Sequence, residues 1–183
     1  MTKNKLRVSF SLLDAWSRGE HERAIANYLH KDYPSTPQMD EGKKWHEENA
    51  KQIAENKMTL KEFGSLKFKK PSVELELEAP YNELFIVKGT IDTLDGEDLW
   101  EYKTGKRSAT SYLSSMQLSF YAMLCTLREL PIKRLNVMKY NQYEDKWSWA
   151  FKWYSPLVVD EARNFVDSLT PEIYDYFDKH NIL

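Results

Sequence analysis

The chain has 183 residues, 42% of them hydrophobic and 14% aromatic, with a net charge of −2. That is enough for one domain with its own core, and too apolar for a disordered chain. The near-neutral balance excludes a uniformly basic nucleic-acid binder, so any nucleic acid must be held by local basic clusters or through cations. The single cysteine, Cys125, excludes an intrachain disulfide and any four-cysteine zinc or iron–sulfur site in this chain.

No run approaches the roughly 18 apolar residues of a membrane span, so no membrane partner is expected. The opening "MTKNKLRVSFSLLDAW" is basic but has neither a long apolar stretch nor a small-residue cleavage site, and an intracellular, cytoplasmic protein is expected. Ser9 or Ser11 is placed to cap a helix through "LLDAWSRGEHERAIANYL", with Leu12, Leu13, Trp16, Ile25, Tyr28 and Leu29 as its stripe and Gly19 as its weak point. Two prolines make "DYPSTPQ" (32–38) a loop, residues 39–56 read as an exposed helix, and "FGSLKFKK" (63–70) is basic and turn-like.

A strand section follows. In "VELELEA" (73–79) Val73, Leu75 and Leu77 alternate with Glu74, Glu76 and Glu78, which predicts one apolar and one acidic face. After a turn at Pro80 to Asn82, Leu84 to Leu94 is a long strand and Asp98 to Lys103 pairs back on it. Residues 108–130 read as one helix stopped by Pro131, with Cys125 as a buried, inert thiol. "KRLNVMKYNQ" and "KWSWAFKWYS" are two strands joined through "YEDK", with Trp147, Trp149, Phe151 and Trp153 on one face of the second. A C-terminal helix (158–180) contains Pro171. The order predicts a single α/β (α+β) domain over 1–183 with a mixed sheet.

The stretch "IVKGTIDTLDGEDLWEYKTG" (86–105) puts charges inside strand-like runs. A turn at Gly96–Glu97, or over Asp95 to Asp98, pairs Leu94 with Leu99 and sets Asp92 opposite Glu101. Opposed residues share a sheet face at about 5 Å, and Lys103, two residues on, shares that face. Two facing carboxylates repel unless a cation lies between them, and hard oxygen ligands suit Mg²⁺ or Mn²⁺. A lysine beside them can hold water or stabilise charge developing on a phosphate. Two readings follow from these residues: a phosphodiester-cleaving metal site, or an exposed hairpin face neutralised by Lys103. Glu74, Glu76 and Glu78 read most simply as a solvated edge face, though one of them could join such a cluster.

"GTID" (89–92), "EYKTG" (101–105) and "QLSFY" (117–121), in that order, resemble the PD-(D/E)XK nuclease superfamily. They are similar to its RecB-like branch, with the pattern GxxD, (D/E)xK and QxxxY. "EGKKWHEE" (41–48), with Gly42 and His46, resembles that branch's histidine-bearing helix, and "VSFSLLDAWSRG" (8–19) its N-terminal helix. The resemblance implies a restriction-endonuclease-like core with a mixed sheet flanked by helices. It implies that Asp92, Glu101, His46 and the backbone carbonyl of Tyr102 hold Mg²⁺ or Mn²⁺. It implies that Lys103 positions water or stabilises the transition state, that Gln117 orients Lys103 or the phosphate, and that Tyr121 packs beside the site or touches DNA. Some members of the branch carry a four-cysteine iron–sulfur cluster; with Gly19 near its first position and one cysteine in the chain, none is expected here.

The expected function is metal-dependent hydrolysis of DNA, exonuclease-like, on ends or single strands in recombination, repair or a mobile element. The alternatives are a catalytically silent nucleic-acid-binding module and a subunit active only with a helicase, an annealing protein or another recombination partner. Candidate phosphate contacts are Lys43 and Lys44 beside His46, Lys67, Lys69 and Lys70 before the sheet, and Lys106 and Arg107 after the hairpin, while Trp45 is placed to stack on unpaired bases.

Overall fold

The computed structural model describes residues 5–31, 34–55, 68–141, 143–144 and 146–182. Strand β1 (Leu6–Ser9) buries Leu6 and Val8 and runs into helix α1 (Phe10–Ser17). Ser9 makes the change of structure: its backbone is extended, and its hydroxyl accepts the Leu12 N–H at 3.3 Å. The helix expected over 12–29 is two helices. Gly19, at φ +74°, takes the left-handed conformation that separates α1 from α2 (His21–Tyr28). Strand β1 itself went unread, because four residues with two apolar positions are too short to show a period.

Helix α3 (Pro37–Ala54) begins with Thr36 accepting the Met39 N–H at 3.3 Å and leaves most of its surface in water. Strand β2 (Pro71–Pro80) pairs antiparallel with β3 (Phe85–Asp95), and β3 turns through Gly96 and Glu97 into β4 (Asp98–Thr104). Gly96 has φ +64°, which suits the first central position of a two-residue hairpin turn. The basic segment read at 63–70 lies outside the described residues up to Lys67.

The segment 108–130 is also two helices rather than one, α4 (Ala109–Tyr112) and α5 (Met116–Leu127). Its serines explain the break. Ser108 accepts the Ser111 N–H at 3.3 Å and Ser115 accepts the Leu118 N–H at 3.4 Å, so each side chain caps a new helix start. Helix α5 is buried from Leu118 through Cys125. Strands β5 (Arg134–Asn141) and β6 (Lys146–Trp153) complete the sheet, and α6 (Pro156–Lys179) runs through Pro171.

The sheet is mixed, in the order β1-β3-β4-β5-β6 with β2 on the other edge of β3. β1 pairs parallel with β3, β4 parallel with β5, and the remaining pairs are antiparallel. One face carries the main core, in which α1, α5 and α6 pack on residues such as Val87, Ile91, Leu99 and Val137. The other carries a smaller cluster of Ile53, Phe68, Trp100, Tyr102 and Met138. Among the described residues no helix is long and apolar enough to cross a membrane.

Strand β2 departs from the expected alternation. Leu75 and Leu77 pack on the main core, but Val73 packs on the smaller cluster across the sheet. Between them Glu74 has φ +48°, the left-handed region that non-glycine residues seldom enter. The register does not slip, since Val73 pairs with Thr93 and Leu75 with Ile91. The strand therefore turns its side chains over at Glu74 without gaining a residue.

Candidate active site

The site begins at a gap in the sheet. β2 occupies one edge of β3 from Ile86 to Asp95, so β1 and β4 share the opposite edge. β1 ends there at Ser9↔Lys88 and β4 begins at Thr93↔Trp100. Gly89 to Asp92 lie between the two ladders. The hairpin register is the expected one, with Leu94 paired to Leu99, but the ladder stops one residue before Asp92 and Glu101 would pair. Instead the Asp92 carboxylate enters the gap, and its Oδ2 accepts the Tyr102 N–H at 2.6 Å. A side chain has taken the place of a strand partner, which fixes Asp92 while it is only 8% exposed.

Helix α3 brings His46 over this point, with Nδ1 3.7 Å from Asp92 Oδ1. Glu74 stands in β2 at the position opposite Asp92, where its reversed backbone aims it. Ligand atoms of His46, Glu74 and Asp92 lie within 4.8 Å of one another. The electrostatics agree. Burial, then the Asp92 charge, raises the Glu74 carboxyl above its usual range. Burial lowers the His46 imidazole, but the close Asp92 carboxylate and the Glu101 charge outweigh that and hold it above its usual value. Oxygen and imidazole donors from three elements fit a divalent cation.

Glu101 is 1% exposed, and one of its oxygens, Oε1, bonds the Lys103 ammonium. Its other oxygen, Oε2, is buried with no hydrogen-bond partner among the described residues. Burial first, then the Asp92 charge, pushes this carboxyl up to about 7, against the pull of Lys103. Lys103 is lowered by burial but raised more by Glu101, and stays charged. Its Nζ also donates to Gln117 Oε1 at 2.8 Å, and Gln117 Nε2 donates to the Tyr121 hydroxyl at 3.1 Å. Ser115 sets this chain of contacts, since capping α5 there puts Gln117 in its first turn and Tyr121 one turn on.

Tyr121 is 8% exposed and packs beside the site. Its ring lies against Gly89, where an added Cβ would fall 2.9 Å from Tyr121 Cε1. The glycine of "GTID" and the tyrosine of "QLSFY" therefore answer to each other. Gly42 is less constrained: a Cβ there would meet Thr104 Oγ1 at 3.7 Å, ordinary contact. Beside Gln117 and Tyr121 a cavity of about 570 Å³ opens, lined also by Ser9, Ser11, Lys88 and Thr90.

The candidate basic residues lie in three exposed groups. Lys43 and Lys44 are exposed on α3, and Lys106 and Arg107 are exposed after β4, with Lys106 Nζ 5.2 Å from the Tyr143 ring centroid. Lys69 and Lys70 are exposed before β2. His21 stacks on Trp16 at 4.2 Å, and His30 bonds Lys88 at 3.1 Å. Two neighbours of the site were not singled out by sequence. Glu74 carried no signal distinguishing it from Glu76 and Glu78, because the reversal that aims it is a backbone property. Lys139 is buried beside Lys103 in the parallel register, and the pairing of β4 with β5 was not readable locally.

The sequence profile of the PD-(D/E)XK nuclease superfamily matches residues 9–148. No curated protein matches the chain. Among solved structures, the protein SSO0001 aligns at 15% identity and a TM-score of 0.54, over 91% of this chain and 78% of its own. The alkaline exonuclease LHK-Exo from Laribacter hongkongensis aligns at 14% identity and a TM-score of 0.54, over 96% of this chain and 93% of its own. Its complex with dAMP gives 14% identity and a TM-score of 0.50, over 95% and 93%. At such identities these structures share the fold, a mixed sheet flanked by helices. The profile covers most of the chain, from the Ser9 cap to β6, and the chain belongs to the PD-(D/E)XK nuclease superfamily.

Proposed function

We propose that this chain hydrolyses DNA phosphodiester bonds with Mg²⁺ or Mn²⁺, acting on ends or single strands. The observation that carries the reading is the Glu101 carboxylate, buried with Oε2 unpartnered beside the cluster of His46, Glu74 and Asp92. A buried anion is costly unless something positive meets it, and Lys103 meets only one of its two oxygens. PD-(D/E)XK nucleases use divalent metals. In this chain His46, Asp92, Glu101, the Tyr102 carbonyl and, added by the structure, Glu74 would hold the cation. A bound divalent cation supplies a water of lowered pKa and neutralises charge on the phosphate.

The protein's own groups do the rest. The Tyr102 N–H holds Asp92 in one orientation. Lys103, charged and fixed between Glu101 and Gln117, presents its ammonium to the attacking water or to the charge that grows on the phosphate oxygens. Gln117 fixes Lys103, and Tyr121 fixes Gln117. Lys43, Lys106 and Arg107 contact flanking phosphates, and that binding weakens with salt. The ordered motifs support membership of the RecB-like branch, and with it an intracellular role in recombination, repair or a mobile element. Residues 1–183 act as one domain in this reading, since β6 and α6 complete the same sheet and core beyond residue 148.

The test is cleavage of end-labelled single- and double-stranded DNA by the purified chain with Mg²⁺ or Mn²⁺, beside Lys103→Ala and Asp92→Ala. Metal-dependent cleavage by wild type, lost in both variants, is expected. Cleavage that survives both would sink the site, and no cleavage by wild type would favour a silent binding module or a subunit needing a partner.

A further inference from the structure

Strand β6 carries a row of aromatic rings that the main core does not use. Trp147, Trp149, Phe151 and Trp153 occupy alternate positions on the face that α3 shares. Trp45, the residue before His46, lies 5.1 Å from Trp147, ring to ring. Trp149 stacks on Trp100 at 6.0 Å and on Phe151 at 5.4 Å, and Phe151 meets Trp153 at 5.6 Å. The inner rings, Trp147 and Trp149, pack on the smaller core cluster beside α3, and from there the row runs outward to Trp153, about 20 Å of strand. Its outer end is open: Phe151 is 41% and Trp153 66% exposed.

That open end borders a groove whose basic side chains outnumber its acids by four to three. This groove of about 450 Å³ is walled by Phe68, Trp100 and Trp153 and lined by Lys69, Lys70, Lys133 and Arg134. Its acids are engaged. Asp95 accepts the backbone N–H groups of Lys69 and Lys70, Glu97 pairs with Lys133, and Asp98 accepts from Arg134 Nε and Nη2. Lys69 and Lys70 carry exposed side chains. Aromatic faces next to lysines match a strand with unpaired bases and a phosphate backbone. A protein partner fits less well, because protein interfaces are depleted of lysine. A duplex keeps its base faces stacked and offers the rings nothing.

We infer that the outer end of the β6 row, Phe151 and Trp153, is a short stacking track for unpaired bases, which holds a single strand for delivery to the nuclease site. The inference rests on the nuclease reading above for where the strand is cut, but its test does not. Binding of a fluorescent oligothymidylate to the full chain is measured by anisotropy in EDTA, where cleavage plays no part, beside cleavage of the same oligonucleotide by wild type in Mn²⁺. The combined Phe151→Ala and Trp153→Ala substitutions should weaken binding about tenfold or more, and Trp153→Phe, which keeps a ring, should retain most of it. Equal affinity in wild type and the double variant overturns the track. So does wild type that prefers duplex to single strand, or a double variant that changes oligomeric state while binding the oligonucleotide as before, which would mark a protein-docking face. Binding that depends on the rings in a wild type that cuts nothing would support the track and sink the nuclease reading.

Discussion

Strand β4 carries two acid–base pairs three residues apart, and they are built in opposite ways. Near the turn, Asp98 takes Arg134 Nε on one oxygen at 2.7 Å and the Arg134 Nη2 on the other. Both oxygens are served, and both side chains reach solvent. In the middle of the strand, Glu101 is buried, bonds Lys103 through one oxygen and leaves the other bare. The first pair closes a surface seam between β4 and β5. The second holds charge where charge is expensive, and leaves part of it for something else to meet. Burial and an unserved oxygen, more than the presence of acid and base, mark the site.

Four experiments break or sharpen that contrast. The largest difference is expected in turnover. Lys103→Ala should lower DNA cleavage by about 10²–10³-fold, the usual cost of one preorganised charge-stabilising donor. Arg134→Ala, measured in the same assay on a substrate too short to reach β6, should change it by less than about threefold. Equal losses would erase the distinction between the two pairs.

The second experiment removes a single methyl's worth of room. Gly89→Ala puts a Cβ against the Tyr121 ring at 2.9 Å. Overpacking of this kind costs about 1–3 kcal/mol, and displaced Tyr121 frees Gln117 and then Lys103, so both the denaturation midpoint and turnover should fall. The matching Gly96→Ala meets nothing within 4 Å and touches only the turn at φ +64°, so stability alone should drop.

A third concerns metal affinity. Glu74→Gln should weaken Mn²⁺ binding by about 10-fold, within the range seen when a group orienting or completing a metal site is lost. Glu76→Gln, next but one along β2, should leave it unchanged by calorimetric titration.

The smallest effect is a pH slope. In the metal-free protein Glu101 sits at about 7, above its ordinary 4.5. The folded chain thus keeps a proton that the unfolded chain gives up. Its contribution to stability is fully present below about pH 4.5 and is lost as pH rises through about 7. Against Glu101→Gln, wild type should lose stability over that window in urea melts, and added Mn²⁺ should restore it. An Asp98→Asn variant should show no such difference in the same window.

Much of the site was legible before the fold was known. Asp92, Glu101 and Lys103 stand out because charges in strand runs need a reason, and Gln117 and Tyr121 share a helix face by spacing. The register of the β3–β4 turn was expected from "DGED", because a turn at Gly96–Glu97 and one over Asp95 to Asp98 pair Leu94 with Leu99 alike. The errors have physical causes as well. Apolar periodicity runs through 108–130 without a break, while capping by Ser108 and Ser115 is a hydrogen-bonding choice that periodicity does not record. Likewise Gly19 was seen as a weak point in a helix, and its left-handed conformation made it the end of one.

The amino-acid order by itself determined most of the local elements, the hairpin register and the identity of most charged groups at the candidate site, because each depends on residues close along the chain. Only the tertiary structure decided which of three alternating glutamates faces Asp92, since a reversal at Glu74 turns β2 over. It alone set His46 3.7 Å from Asp92 and opened the gap between β1 and β4 where Asp92 replaces a strand partner. These are contacts between segments tens of residues apart. They arise from packing on both faces of one sheet, which no local pattern encodes.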